Sequence, residues 1–373
     1  MPYRFAPAAC PRIVVKIGSA LLVDPSGAVR RDWLAGVVAE VAERRAAGQQ
    51  VAIVSSGAIA LGARRLGLDR GGRASLEDAQ AAAAAGQIAL AGVWAELLAA
   101  HDIHAAQILV TLDDLEDRRR YINASATLGR LLSLGAVPVV NENDSVATAE
   151  IRFGDNDRLA ARIGQAAGAG GVILLSDVDG LYTANPSRDP TAVRLTEVPR
   201  IDARVRAMAD SDSASGMGSG GMVSKLEAAQ IAVSAGAHLA IVSGKGDRPL
   251  SRFERGEGGT VFVAGPAARA RKAWLAGRLT ARGRIHVDAG AAAALADGRS
   301  LLPAGATAAE GRFVRGDVVD IVGSDGALLA RGLAEYDLGE AVRIVGQRRE
   351  ALQAILGYAP RAALVHRDHM VLL

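Results

Sequence analysis

The sequence has a single cysteine, Cys10, among 373 residues. One thiol excludes an intrachain disulfide and any cluster of thiolate metal ligands, and it is the usage expected in a reducing cytoplasm. Aromatic residues make up only 3% of the chain, too few for a general platform on which single-stranded bases could stack. Lysine is scarce as well: of 43 basic residues only Lys16, Lys225, Lys245 and Lys272 are lysine, the rest being arginine. A chain that otherwise uses the forked guanidinium keeps lysine where a compact point charge is wanted. Polar groups interrupt every apolar run before the roughly 18 unbroken residues that a membrane helix needs. Residues 1–10 hold no apolar core of an export signal. A cytoplasmic protein with no membrane partner is expected. The net charge of +3 is mild, and groups such as Arg118-Arg119-Arg120 are too short to form a basic tract for nucleic acid.

What is present is organised around residues 137–157. The short β-branched run Val137-Pro138-Val139-Val140 reads as a buried strand, and Asn141-Glu142-Asn143-Asp144 would project from its carboxyl end, where open α/β sheets place ligands. Gly154 then introduces a second acidic burst, Asp155-Asn156-Asp157. Carboxylates hold ammonium groups or metal ions and amides hold carboxylates and hydroxyls, so the mixture suits a small zwitterion. The same composition taken alone describes a polar hairpin rich in Asx turns.

The chain around it alternates strand, glycine-bearing turn and helix. Residues 12–17 form a strand ending in Lys16-Ile17-Gly18-Ser19, residues 50–54 a strand opening into Ser55-Ser56-Gly57-Ala58, and residues 171–175 a strand leading to Ser176-Asp177. Helices are expected over 31–47, 75–100, 121–134 and 158–167, the Ala-rich second of these showing no site. The pattern predicts an α/β fold with an open, mainly parallel sheet sandwiched by helices. A Gly/Ser-rich run, 210–225, feeds directly into a helix ending near Ala235. Composition alone would make it a linker. Its position before a helix N-terminus, with Ser219, Gly220, Gly221, Met222, Val223 and Ser224 leading to Lys225, instead suits phosphate binding. It is neither a Walker A loop nor a Rossmann fingerprint. Domain boundaries are expected at 1–267 and 283–373, joined by a basic connector over 268–282. Short β-rich segments over 284–288, 317–323, 328–336 and 340–346 suggest a small C-terminal β-barrel.

These pieces make complementary demands. Acid and amide groups, phosphate-ready backbone and two ammonium groups suit phosphoryl transfer from a nucleotide to an acidic small molecule, a reaction that needs positioning and charge neutralisation. A carboxylate acceptor, with a pKa of about 4.3, requires no general base. A hydroxyl acceptor would require one, for which Asp155 or Asp157 could serve, and either acid could instead hold Lys16 and Lys225 in place. His101 with His104, and His366 with His369, lack partners at metal-ligand spacing, so no metal ligand is assigned.

Val14-Val15-Lys16-Ile17-Gly18-Ser19, Ser55-Ser56-Gly57-Ala58, Asn141 to Asp144 with Gly154 to Asp157, and Gly220-Gly221-Met222 running to Lys225 resemble the amino acid kinase family. Gly311-Arg312-Phe313-Val314-Arg315-Gly316-Asp317-Val318-Val319 resembles a PUA domain. The resemblance covers nearly the whole chain. It implies ATP-dependent phosphorylation of the L-glutamate side-chain carboxylate to L-glutamyl 5-phosphate, the first step of proline biosynthesis, with feedback inhibition by proline. By the same resemblance Lys16, Lys225 and Asp157 would be catalytic, and Ser56, Asp144, Asn156, Asn141 and Asp155 would bind substrate. Lys16, Ser176, Asp177 and the run from Ser219 to Lys225 would bind ATP, with Mg2+ carried by the phosphates. It also implies a homo-oligomer and a glutamyl phosphate reductase as partner. Ser19, Ser55 and Ser176 stand where relatives often carry threonine, each keeping the hydroxyl. Other members acting on acetylglutamate, aspartate or uridylate, or an RNA-binding or RNA-modifying PUA protein, are the competing expectations.

Overall fold

In the computed structural model the described residues are 2–24, 26–146, 156–210, 221–265 and 281–372. Asp155, Ser219 and Gly220 lie outside them, as does all but the end of the expected connector. The chain separates into two compact units, Met1–Ala267 and Ala268–Leu373.

The first unit is built on eight strands, β1 (Arg12–Ile17), β2 (Gln50–Ser55), β3 (Ala105–Val110), β4 (Val137–Glu142), β5 (Gly171–Ser176), β6 (Glu197–Val198), β7 (His238–Ser243) and β8 (Thr260–Phe262). They lie in the order β3-β4-β2-β1-β5-β7-β8-β6. From β3 to β7 every neighbouring pair is parallel; the sheet reverses only at β8, which runs against β7 and alongside β6. The central strands are largely apolar because both faces are covered, β4 and β5 being buried along their whole length, whereas the edge strand β3 is only partly buried.

Among the described residues ten helices flank the sheet: α1 (Ser19–Leu22), α2 (Arg31–Ala46), α3 (Ala58–Leu66), α4 (Leu76–Ala99), α5 (Leu112–Glu116), α6 (Arg118–Ser133), α7 (Asn156–Ala167), α8 (Ala203–Asp210), α9 (Met222–Ser234) and α10 (Pro249–Glu254). One group, α1 to α4 with α10, packs together, and α5 to α9 form the other. The chain leaves β1 toward β2 and β4 on one side and returns through β5 on the other. The carboxyl ends of β1, β2, β4 and β5 therefore meet at the point where the winding changes direction, the crevice in which such sheets bind ligands.

Helix α4 is long and apolar enough to cross a membrane by length and composition alone. In the fold one side of it faces the protein, where Leu90, Trp94 and Leu98 are fully buried, while Ile88 on another side is 76% exposed. Its crossing with α3 is closer than any side chain would allow. A Cβ on Gly86 would lie 1.8 Å from the Ala58 carbonyl oxygen, and one on Gly62 would lie 1.7 Å from that of Ala82.

The second unit holds a five-stranded sheet in the order β10-β9-β11-β12-β13, formed by β9 (Gly283–Val287), β10 (Ala306–Gly311), β11 (Val318–Val322), β12 (Leu328–Ala334) and β13 (Val365–Leu372). Only β9 and β11 pair in parallel. Its own core gathers Ile285, Val319, Ile321, Tyr336 and Val365. Residues 340–346, expected to be β-rich, are instead largely the helix Leu338–Ile344. Asp337 caps it by accepting from the Glu340 N–H at 2.9 Å, and the Glu340 side chain accepts from the Asp337 N–H at 3.3 Å. That reciprocal pair fixes a helix start that apolar spacing alone did not reveal.

Replacing Gly86 with alanine is expected to force α3 and α4 apart and to lower unfolding free energy by about 1–3 kcal/mol, the usual cost of overpacking. Urea denaturation of the Gly86→Ala protein checks this; an unchanged midpoint would contradict the close crossing.

Candidate active site

Three charged side chains distant in sequence meet in the interior. Lys16 comes from the end of β1, Asp157 from the first turn of α7 and Lys225 from the first turn of α9. Asp157 lies between the lysines. The Lys16 Nζ stands 2.6 Å from Oδ1, and the Lys225 Nζ donates to Oδ2 at 3.0 Å. Their exposures are 7%, 1% and 6% for Lys16, Asp157 and Lys225, so little water screens the ion pairs. Burial works against ionisation of Asp157, but the Lys16 and Lys225 ammonium groups overcome it and hold the carboxyl below its ordinary range. The positive end of α7 acts in the same direction. Asp157 is therefore a fixed anion rather than a proton acceptor at neutral pH, and the cluster carries one excess positive charge.

Beside it runs a chain of amides. Gln87 of α4 accepts through Oε1 from the Asn141 Nδ2 at 2.8 Å. Asn141 in turn accepts through Oδ1 from the Asn156 Nδ2 at 3.0 Å, and the same nitrogen donates to the Ser56 Oγ at 2.7 Å. Among the described residues, Oδ1 of Asn156 and Oδ1 of Asp144 are buried acceptors without a hydrogen-bond partner. Burial pushes the Asp144 carboxyl up to about 6, and the Arg73 guanidinium only partly offsets this. Two buried acceptors, one of them an acid held at a cost, suit a cationic ligand group such as an ammonium.

The carboxyl end of β5 supplies Ser176, which is buried and donates through Oγ to the Asp177 Oδ1 at 3.0 Å, while Asp177 is exposed. Gly221, extended at φ −61° and ψ −179°, starts α9 with no side-chain cap, and Met222, Val223 and Ser224 form the turn that leads to Lys225. Asp155, Ser219 and Gly220 fall outside the described residues. Among the described residues no three His, Cys, Asp or Glu side chains group to hold a metal ion.

The structure thus brings Lys16, Asp157 and Lys225 together as one cluster and Ser56, Asn141 and Asn156 as another. Sequence reasoning missed Gln87 and Arg73. The signal for Gln87 was a buried amide on the apolar stripe of α4, which it shares with the buried Ala83, Leu90 and Trp94. Ser55 also finds a partner there, accepting from the Trp94 Nε1 at 2.9 Å.

Residues 11–243 match the amino acid kinase family and residues 283–356 match the PUA domain. The chain belongs to the amino acid kinase family. It is 69% identical over 369 residues to the glutamate 5-kinase of Sphingopyxis alaskensis, covering 99% of both chains. It is 63% identical to the glutamate 5-kinase of Zymomonas mobilis, across 99% of this chain and 93% of that one. With the glutamate 5-kinase of Novosphingobium aromaticivorans it shares 61% identity, across 98% and 96%.

A carboxyl whose pKa rises on folding makes the folded state costlier as pH climbs from its unfolded value of 3.8 toward about 6. Asp144→Asn should accordingly raise unfolding free energy at pH 8 by about 1–3 kcal/mol, the gain vanishing below about pH 4. Urea titrations of both proteins at pH 4 and pH 8 measure it. An equal effect at the two pH values would show that Asp144 carries no burial cost.

Proposed function

We propose that this chain transfers the γ-phosphoryl group of ATP to the side-chain carboxylate of L-glutamate, forming L-glutamyl 5-phosphate in the first step of proline biosynthesis. The observation that carries the reading is the buried Lys16–Asp157–Lys225 cluster, a fixed source of positive charge of the kind that phosphoryl transfer requires. The kinship with three glutamate 5-kinases over almost the full chain supports the choice of acceptor.

The reaction follows from these groups. The glutamate carboxylate, with a pKa of about 4.3, is already ionised at neutral pH and attacks phosphorus without a general base. A carboxylate oxygen–phosphorus bond forms as the bridging oxygen–phosphorus bond to ADP breaks. The lysines stabilise charge on the group in transit, and Asp157 keeps both ammonium groups in place. Asp144 and Asn156 receive the substrate ammonium, with Ser56, Asn141 and Asp155 completing the amino acid end. Lys16, Ser176, Asp177 and the run Ser219, Gly220, Gly221, Met222, Val223, Ser224 and Lys225 hold ATP. Mg2+ would be carried by the nucleotide phosphates and would supply further charge neutralisation, with no protein ligand assigned.

Proline shares the ammonium and α-carboxylate of glutamate but lacks an acceptor carboxylate, which supports its reading as the feedback inhibitor. The product is a reactive acyl phosphate, which supports a reductase partner, and a homo-oligomeric cytoplasmic enzyme completes the proposal. Boundaries of 1–267, 268–282 and 283–373 divide the catalytic domain, connector and PUA domain.

The deciding assay supplies glutamate, ATP and Mg2+ and traps the acyl phosphate with hydroxylamine, with N-acetylglutamate, aspartate and uridylate as competing acceptors. Turnover of uridylate without turnover of glutamate would overturn the reading. Asp157→Ala should lower kcat by about 100- to 1,000-fold with little change in the glutamate KM, the loss typical of removing transition-state charge stabilisation. Asp144→Ala should chiefly raise the glutamate KM; the reverse pattern would exchange the two roles. Truncation before Gly283 should leave catalysis largely intact, because every assigned residue precedes it, and an inactive but folded truncation would contradict that.

A further inference from the structure

We propose that Gln87 is a positioning residue that sets the polarity of the amide chain, so that Asn156 presents an oxygen, and not an NH2 group, to the substrate ammonium. The inference rests on the glutamate reading and adds a residue that reaches the ligand only through others.

A primary amide has one donor side and one acceptor side, and in a chain of amides the orientation of the first propagates to the last. Gln87 offers Oε1 to Asn141, which fixes the Asn141 nitrogen toward α4 and its oxygen toward Asn156. Asn156 answers with its nitrogen, which is shared between Asn141 and the Ser56 hydroxyl. Its Oδ1 is thereby turned away from both, buried and without a partner among the described residues, as is the Asp144 Oδ1. Reversal at Gln87 would reverse each step and place an N–H of Asn156 where the cation belongs.

The backbone holds Gln87 to this task. Gly86 lies against the Ala58 carbonyl, two residues from Ser56, so the α3–α4 crossing fixes both ends of the amide chain at once. Helix α4 also packs on the short turn Asp144–Val146, which carries the second acceptor. Gln87 is 9% exposed, enclosed enough that its amide orientation is not traded for water.

Three variants separate polarity from packing. Gln87→Glu keeps an acceptor oxygen toward Asn141, Gln87→Met fills similar space without one, and Gln87→Lys imposes a donor. With the hydroxamate assay, Gln87→Met and Gln87→Lys should raise the glutamate KM by roughly 10- to 100-fold, the usual worth of a hydrogen bond to a charged group. The ATP KM should stay near wild type, kcat should change much less than the glutamate KM, and Gln87→Glu should remain close to wild type. Competition by glutarate, which lacks the ammonium, supplies a ratio independent of the folded fraction: the preference for glutamate over glutarate should shrink in Gln87→Met and Gln87→Lys. An unchanged glutamate KM in Gln87→Met, an equal loss in Gln87→Glu, or a parallel rise in the ATP KM would overturn the role of Gln87. If Gln87→Lys does not fold, the Met and Glu variants decide by the same comparison. A wild-type protein that neither binds nor phosphorylates glutamate removes the proposed function and this inference together, whereas an active wild type with an indifferent Gln87→Met removes the inference alone.

Discussion

Asp157, held between Lys16 and Lys225, is the constraint on which the rest of the first unit depends. Each charge taken from water costs several kcal/mol before pairing offsets it. One carboxylate cannot neutralise two ammonium groups, so the cluster keeps a net positive charge in a place where a core would be better served by leucine. An arrangement of this kind is poor evidence for stability and good evidence for a site that meets a polyanion. Its geometry also explains the winding of the sheet. Lys16 must emerge from a central strand, and β1 lies between β2 and β5. Asp157 must start a helix that crosses those strands, and α7 contacts β1, β2, β4 and β5. Lys225 must start a second helix packed on the first, which α9 does.

The abundance of alanine and glycine has its explanation on the other group of helices. An amide chain of three links tolerates little error, because each hydrogen bond is lost within a few tenths of an ångström of stretch beyond its ordinary length. Large side chains between α3 and α4 would set their separation loosely through rotamers. Glycine at 62 and 86 sets it by backbone contact, which has no rotamer to change. The chemistry of Asn141 and Asn156 is thus secured by residues with no chemistry of their own.

Much of this was legible in the sequence, for reasons tied to particular residues. Lys16 and Lys225 stood out because arginine occupies most other basic positions, and the strands ending at Lys16, Ser55, Asn141 and Ser176 announced themselves as β-branched runs followed by polar turns. Gln87 did not, because its partner Asn141 is 54 residues away and no local pattern pairs them. Arg73 acts on Asp144 only through the electrostatics of the fold. The reversal of β8 was equally hidden, since a three-residue strand carries too little pattern to show its direction. The helix Leu338–Ile344 failed differently: its capping box was present in Asp337 and Glu340, but the surrounding Gly-bounded segments suggested strands.

Asp144 and Asp157 lie thirteen residues apart, are both buried, and have their carboxyl groups driven in opposite directions. Residue type and burial are shared, so the difference lies in what each faces. Asp157 already has its cations, which belong to the protein, and it is ionised before any ligand arrives. Asp144 feels the Arg73 guanidinium, which only partly offsets its burial, so its carboxyl carries a cost that a cation from outside would relieve. In the proposed reaction, the protein supplies the counter-charge where the transition state is stabilised and omits it where the ligand brings its own. Under the proposed function, that asymmetry assigns one acid to the machinery and the other to a test that the substrate must pass.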